Sequence, residues 1–222
     1  MAKLGLRLKA IAKQVTFSGQ PIWDCCCDHG YLGQYLLEQD ACIQTGSVVN
    51  FVDCIADIIA QLNTRLSQIT ALQGRWQSHC IDVAKLPLAE QTSLSHTIII
   101  AGVGGELTAK MVTALNQQFA KHKLEFILCP VHHEYEMRTA LAQQGLRLFD
   151  EQLVKENGRF YEILRVGCYG QDEITPTGKK LWHRVGPIES QYLATKIKHY
   201  QRLGLGGQDT AGIISAYAVY LD

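Results

Sequence analysis

The sequence predicts an α/β fold: a mostly parallel sheet covered by helices, finishing in an antiparallel hairpin and followed by a small C-terminal helical region. Three observations predict it. Short apolar runs alternate with segments of helical periodicity from residue 21 to residue 144. Most of those runs close on Asp or Gly before the next helix begins. Two further strand-like runs are then joined by Asn157-Gly158, a hairpin signal because both residues tolerate positive φ.

The elements follow in order. Residues 3–15 read as an amphipathic helix with Leu4, Leu8, Ile11, Ala12 and Val15 on one face, stopped by Gly19-Gln20-Pro21. Pro21-Ile22-Trp23 is a short buried strand, Asp24-Cys25-Cys26-Cys27-Asp28-His29-Gly30 a tight turn, and Tyr31 to Leu37 a helix. Ser47 to Asp53 is a strand, and Ile55 to Ile69 is helical, with Ile55, Ile58, Ile59, Leu62 and Leu66 in register. Arg75 to Cys80 is a weaker strand ending near Asp82. His96 to Ala101 is a buried strand, then come Gly102-Val103-Gly104-Gly105 and a helix from Glu106 to Gln118. Leu124 to Cys129 is closed by Pro130 and leads to a helix over His132 to Gln144. The hairpin strands are Leu146 to Lys155 and Arg159 to Val166. Gly170 to Gly178 reads as a linker, 179–203 as helix interrupted at Gly186-Pro187, and 209–221 as a short apolar helix. Residues 1–169 and 170–222 are the two expected units. A parallel sheet that ends in such a hairpin is the pattern of class I methyltransferases.

Composition narrows the class. Of 222 residues, 47% are apolar, and no run is long enough for a membrane span, so a globular chain with a sizeable core is expected. The N-terminus has no signal-peptide pattern, which points to the cytoplasm. Eight cysteines stand either consecutively (Cys25 to Cys27) or singly, with no C-x-x-C pair, so neither a metal site nor a disulfide framework is expected. The adjacent His132 and His133 point in different directions on a helix and suggest no metal either. Twenty-one basic and 21 acidic side chains cancel, but unevenly. Lys3, Arg7, Lys9 and Lys13 stand at one end without an acid. Lys179, Lys180, Arg184, Lys196, Lys198 and Arg202 stand near the other against Glu189 alone. Two basic ends around an acidic body suit a local phosphate-binding surface, and equally suit solvated helix faces.

A strand, a turn of small residues and a helix N-terminus make a seat for a nucleotide-type cofactor. This turn carries Asp24 and Asp28 and no Gly-x-Gly. Carboxylates repel a pyrophosphate and suit a ligand with a cationic centre and an amino group, such as S-adenosylmethionine, which disfavours a nicotinamide dehydrogenase. Later strand ends add to the set. Asp53, with Cys54 beside it, stands where a carboxylate accepts from both ribose hydroxyls, about twenty residues past the turn. Asp82, followed by Val83, is placed for an adenine amino group, and Gly102, Gly104 and Gly105 for close backbone approach to the reacting methyl or base. Each residue singly also has a turn or cap explanation.

These motifs resemble a known family. Arg7-Leu8 with Ile11-Ala12, Asp24, Asp28-His29 with Tyr31-Leu32, Asp53, Ile100-Ala101-Gly102 with Gly104-Gly105, Pro130 and Tyr161-Glu162-Ile163 resemble the bacterial tRNA (adenine-22-N1)-methyltransferases over about residues 4–168. The resemblance implies a Rossmann-like catalytic domain with a helical tRNA-gripping region behind it. It departs at Cys26, where the family has Gly, at Val103 for Met, and at Val131 for Asn. The reaction implied is methyl transfer from S-adenosylmethionine to adenine N1, whose in-plane lone pair needs no strong base. The enzyme must unstack the base, align N1 and exclude water. Asp28 is the candidate to stabilise the cationic product, or else a cap for the helix after Gly30. Cys26, His29, Gly30 and Tyr31 fall to the cofactor side. Pro130, Tyr161, Arg138 and the basic residues Arg7, Lys9, Lys13, Lys179, Lys180, Arg184, Lys196 and Lys198 fall to tRNA. A monomer or weak homodimer is expected. The rival readings are a methyltransferase for another RNA or a small molecule, and a non-catalytic relative that binds S-adenosylmethionine or RNA.

Overall fold

The computed structural model describes residues 4–221. Lys3, the first residue of the predicted N-terminal helix, lies outside them. The chain runs α1 (Leu6–Lys13), β1 (Ile22–Cys25), α2 (Tyr31–Leu37), α3 (Asp40–Thr45), β2 (Val49–Asp53), α4 (Ala56–Ser67), β3 (Trp76–Cys80), β4 (Ser95–Ala101), α5 (Gly105–Gln118), β5 (Lys123–Cys129), α6 (Glu134–Gln143), β6 (Arg147–Glu156), β7 (Arg159–Gly167), β8 (Asp172–Glu173), α7 (Pro187–Leu205) and α8 (Ala211–Ala218). One sheet holds the strands in the order β3-β2-β1-β4-β5-β7-β6-β8. The first five are parallel to one another, while β7 is antiparallel to β5 and to β6. Asn157 (φ +50°) and Gly158 (φ +75°) turn the hairpin with both residues in the left-handed region.

The run Val49 to Asp53 is buried at every position, as in a strand covered on both sides. Helices α5 and α6 cover one face over Ile98, Ile100, Phe126, Leu128 and Leu164. On the other, α1, α2 and α4 pack over Ile22, Phe51, Ile99 and Ile127. Connections leave β1 and β4 toward opposite edges of the sheet, so the C-terminal ends of these paired neighbours open into a crevice.

The segment 170–178 is not the linker its loose composition suggests. Asp172 and Glu173 pair with Leu148 and Arg147 as the edge strand, and Ile174 is buried in the core. Side-chain partners across the chain decide this, and local composition does not carry them. The short helix Asp40–Thr45 also has no counterpart among the predicted elements; it follows α2 after Gln39 and ends on Gly46 at φ +67°.

The C-terminal helices form a third apolar cluster of Leu181, Trp182, Tyr192, Leu193, Tyr200 and Tyr217, joined by Tyr135, Leu153 and Phe160 from α6, β6 and β7. Beneath it lies a buried charge network. Arg138 on α6 has no exposed side chain and meets Glu151 Oε2 and Glu162 Oε2, each at 2.6 Å. The Tyr192 hydroxyl donates to Glu162 Oε1 at 2.6 Å, and Lys196 pairs with Glu134 at 2.5 Å. Burial pushes the Glu162 carboxyl up, but Arg138 and Lys196 more than offset this and hold it below its usual value. Arg138, Lys196 and Lys180 are therefore corrections to the sequence reading. The first two are sequestered in internal ion pairs, and Lys180 is held by Asp172 at 2.6 Å, so none of the three is a free cation for a phosphate.

Arg138→Met strands two buried carboxylates, and a loss of about 3–5 kcal/mol is expected from urea denaturation at pH 7. Glu162→Gln keeps the volume and should cost less. Equal midpoints for Arg138→Met and the parent chain would show that the network holds nothing.

Candidate active site

The site begins with the chain leaving β1. Asp24 is buried, and its Oδ2 accepts the Gly33 amide of α2 at 2.8 Å. Burial pushes its carboxyl up to about 7, opposed by that same hydrogen bond. The turn then takes a left-handed conformation at Cys26 (φ +55°), Asp28 (φ +48°) and Gly30 (φ +66°) and closes with Gly30 N donating to Cys27 O at 2.7 Å. Asp53 at the end of β2 braces it: Oδ2 accepts the Asp28 amide at 3.3 Å and Oδ1 the Ile55 amide at 3.1 Å. Asp82, beyond β3, accepts the Ala84 amide at 2.9 Å. Asp28 projects outward with a mostly exposed carboxylate 3.8 Å from His29 Nε2. It does not cap α2, whose N-cap is Gly30 with no side-chain bond.

Across the crevice, two loops are laced together. Gly102 N donates to Cys129 O (3.1 Å), Val131 N to Val103 O (3.0 Å) and Gly105 N to His132 O (2.8 Å). The hairpin brings Tyr161, and α1 brings Arg7, whose guanidinium lies 5.1 Å from the centre of the Tyr161 ring. Arg65 on α4 lies 5.3 Å from the centre of the Tyr31 ring and donates to His29 O at 2.6 Å. Together these surfaces enclose a cavity of about 770 Å³, ample for a nucleoside-sized ligand with room beside it. Among the described residues, its four carboxylates are Asp24, Asp28, Asp53 and Asp82, and its two cations are Arg7 and Arg159.

The profile of the methyltransferase domain matches residues 4–164. The chain belongs to this methyltransferase domain family. The Bacillus subtilis tRNA (adenine(22)-N(1))-methyltransferase is 28% identical over 163 residues, covering 73% of this chain and 64% of that one. A Mycoplasma pneumoniae relative is 30% identical over 145 residues, and the match spans 62% of its length. Among solved structures, a Streptococcus pneumoniae chain in complex with S-adenosyl-L-methionine superposes with a TM-score of 0.79 at 21% identity, covering 99% of this chain and all of that one. Mycoplasma capricolum TrmK in complex with S-adenosyl-homocysteine gives 0.74 at 14% identity, covering 98% and 92%.

In this methyltransferase domain the cavity gathers Arg7, Asp24, Cys26, Asp28, His29, Tyr31, Asp53, Cys54, Asp82, Val83, Gly102 and Tyr161 from the residues the sequence nominated. The other nominees stand apart from it. Gly30 turns the chain into α2, where a Cβ would meet Leu62 at 2.4 Å. Gly104 and Gly105 admit the loop after β5: a Cβ would stand 2.4 Å from the His132 ring and 2.2 Å from His133 O respectively. Their smallness serves loop packing, which is a correction to their cofactor role. Pro130 is buried behind Val131, which takes its place in the wall. Lys9, Lys13, Lys179, Arg184 and Lys198 are exposed and outside the lining.

Sequence reasoning missed Ile55, Ile81, Leu107, Met111 and Arg159. Ile55 and Ile81 had a signal, since each stands within two residues of a strand-end acid. Arg159 had one too, lying two positions before Tyr161 on the same strand and thus on the same face. Among the described residues no cluster fits a metal ion, and no helix is long and apolar enough to cross a membrane.

Cys26 occupies a left-handed backbone that glycine adopts freely. Cys26→Gly should raise stability by about 0.5–1 kcal/mol in denaturant titration; a lower midpoint would show the strain is absent. Asp24 gives a pH test. Its folded pKa lies above the unfolded one, so its contribution is whole below about pH 4 and lost as pH rises through about 7. Relative to Asp24→Asn, the parent chain should lose up to about 4 kcal/mol between those limits. Parallel pH profiles of the two proteins would contradict this.

Proposed function

We propose that this chain transfers a methyl group from S-adenosylmethionine to N1 of an adenine in tRNA, at position 22 by its resemblance to that family, in the cytoplasm. The observation that carries the reading is the convergence of Asp24, Asp53 and Asp82, from three successive parallel strands, on one cavity that also receives the Arg7–Tyr161 pair. Family membership and the names of the relatives support the substrate.

The cavity fits this cofactor. Asp24 is buried with one protein hydrogen bond, leaving acceptor capacity for an ammonium group. Asp53 keeps free lone pairs for ribose hydroxyls, and Asp82 for an exocyclic amine. Ile55 and Ile81 offer apolar walls to a purine ring. When bound, S-adenosylmethionine supplies an electrophilic methyl on a sulfonium. The chain's own residues do the rest. Tyr161 presents a ring held by Arg7, on which an extruded adenine stacks. Asp28, exposed at the mouth, stabilises the positive charge that builds on the methylated ring. Leu107, Met111 and Val131 narrow the opening to water. Asp24 must ionise to receive the ammonium group, so cofactor binding releases a proton on its acidic side. Lys198 and Arg202 on α7, with Lys9 and Lys13 on α1, are exposed cations for the tRNA backbone.

A second reading, a methyltransferase for another RNA or a small molecule, draws on the burial of Arg138 and Lys196 and on Val131, which lacks the amide the family places there. One assay separates them. Incubated with S-adenosylmethionine and unmodified tRNA transcripts, the protein should yield N1-methyladenosine at a single site by mass spectrometry. Asp28→Asn should lower the turnover by about a hundredfold while leaving cofactor affinity intact. Cofactor binding without methylation of any transcript would remove the tRNA assignment.

A further inference from the structure

The cavity carries four carboxylates, and these match only the cationic parts of the proposed cofactor. S-adenosylmethionine also ends in a carboxylate, which needs a cation once water is excluded. Among the described residues, two cations border the cavity. Arg159 stands exposed at the hairpin tip, next to Gly158, where a side chain is free to follow a phosphate. Arg7 is different. It is half-buried, its guanidinium is stacked on the Tyr161 ring at 5.1 Å, and its backbone amide is anchored to Glu156 Oε1 at 3.4 Å. No acid among the described residues forms an ion pair with its side chain. A cation held in place, facing a cavity and lacking a carboxylate partner, is a preformed anion site.

Its position sets which anion. A Cβ built on Gly102 would stand 4.0 Å from Arg7 Nη1, so the guanidinium sits over the end of β4 beside a residue with no side chain. Strand β4 is the direct neighbour of β1, with Cys25 opposite Ile100, and β1 delivers Asp24. Adjacent strands lie about 4.8 Å apart, so the ends of β1 and β4 open on the same part of the cavity, which Asp24 and Arg7 both line. An α-amino acid carries its ammonium and carboxylate on one carbon, so its two receptors must flank one end of the ligand. We infer that Arg7 grips the carboxylate of the cofactor's amino-acid end while Asp24 takes the ammonium group, making Arg7 part of the cofactor site and not of the tRNA surface. This rests on the function proposed above.

Calorimetry of the full chain without tRNA tests it, with S-adenosylmethionine and its decarboxylated analogue as the two probes. Arg7→Met should weaken S-adenosylmethionine binding about tenfold to a hundredfold and change the affinity of the decarboxylated analogue less than about threefold. Arg7→Lys, which keeps the charge but not the fork, should fall between the parent and Arg7→Met. Arg184→Met, at an exposed cation outside the cavity lining, should leave both affinities unchanged. Equal losses for both probes in Arg7→Met would overturn the inference by showing that Arg7 only shapes the wall, and so would no loss for either. If the unaltered chain binds neither probe, the cofactor reading itself falls. Thermal melting of each variant confirms that it is folded.

Discussion

Arg138 has no contact with water, and the arrangement of the active site depends on how that charge is satisfied. Its guanidinium draws Glu151 of β6 and Glu162 of β7 onto α6, fixing the hairpin against the parallel sheet. The hairpin in turn carries Tyr161 and Arg159 into the cavity. The remaining oxygen of Glu162 is taken by Tyr192, and Lys196 of the same helix answers Glu134 at the start of α6. The C-terminal helices are thus bound to the central sheet by charge as well as by aromatic packing. A buried ion pair adds little net stability over an apolar one, but its directionality is costly to violate. That suits a role in setting where a hairpin sits.

The cavity itself is electrostatically asymmetric. Acids gather beyond the ends of β1, β2 and β3, which form the part of the sheet on one side of β4. The cations come from elements added around that core: α1 before the first strand and the hairpin after the fifth. A ligand carrying separated positive and negative centres is oriented by such a field before any close contact forms. The same separation holds Asp24 partly protonated near neutrality, since burial without a cationic partner disfavours its charge.

The parallel core was legible in the sequence because each of its elements rests on local information. Ile98 to Ala101 is apolar throughout and Val49 to Val52 is apolar at all but Asn50, the helices between the strands keep their period, and Asn157-Gly158 marks its own turn. The strand-end acids were legible for the same reason, since a residue closing a parallel strand faces the crevice whatever its distant neighbours. The lysines and arginines were not. Arg138, Lys180 and Lys196 look in sequence like Lys198 and Arg202, and only their partners, 24 to 62 residues away for Arg138–Glu162 and Lys196–Glu134, distinguish a locked charge from a free one. Gly104 and Gly105 deceived in the same way, because a small residue is required wherever two backbones meet, with or without a ligand.

The sequence by itself determined the order of elements, the parallel sheet with its closing hairpin, and the acids that line the crevice, because periodicity and strand ends are short-range properties of the chain. Tertiary structure alone decided that the segment after residue 169 completes the sheet, which cations are spent inside the protein, and that Arg7 and Tyr161 meet across about 150 residues at the mouth of the cavity. Those outcomes turn on burial and on long-range partners. Neither is written in any single stretch of residues.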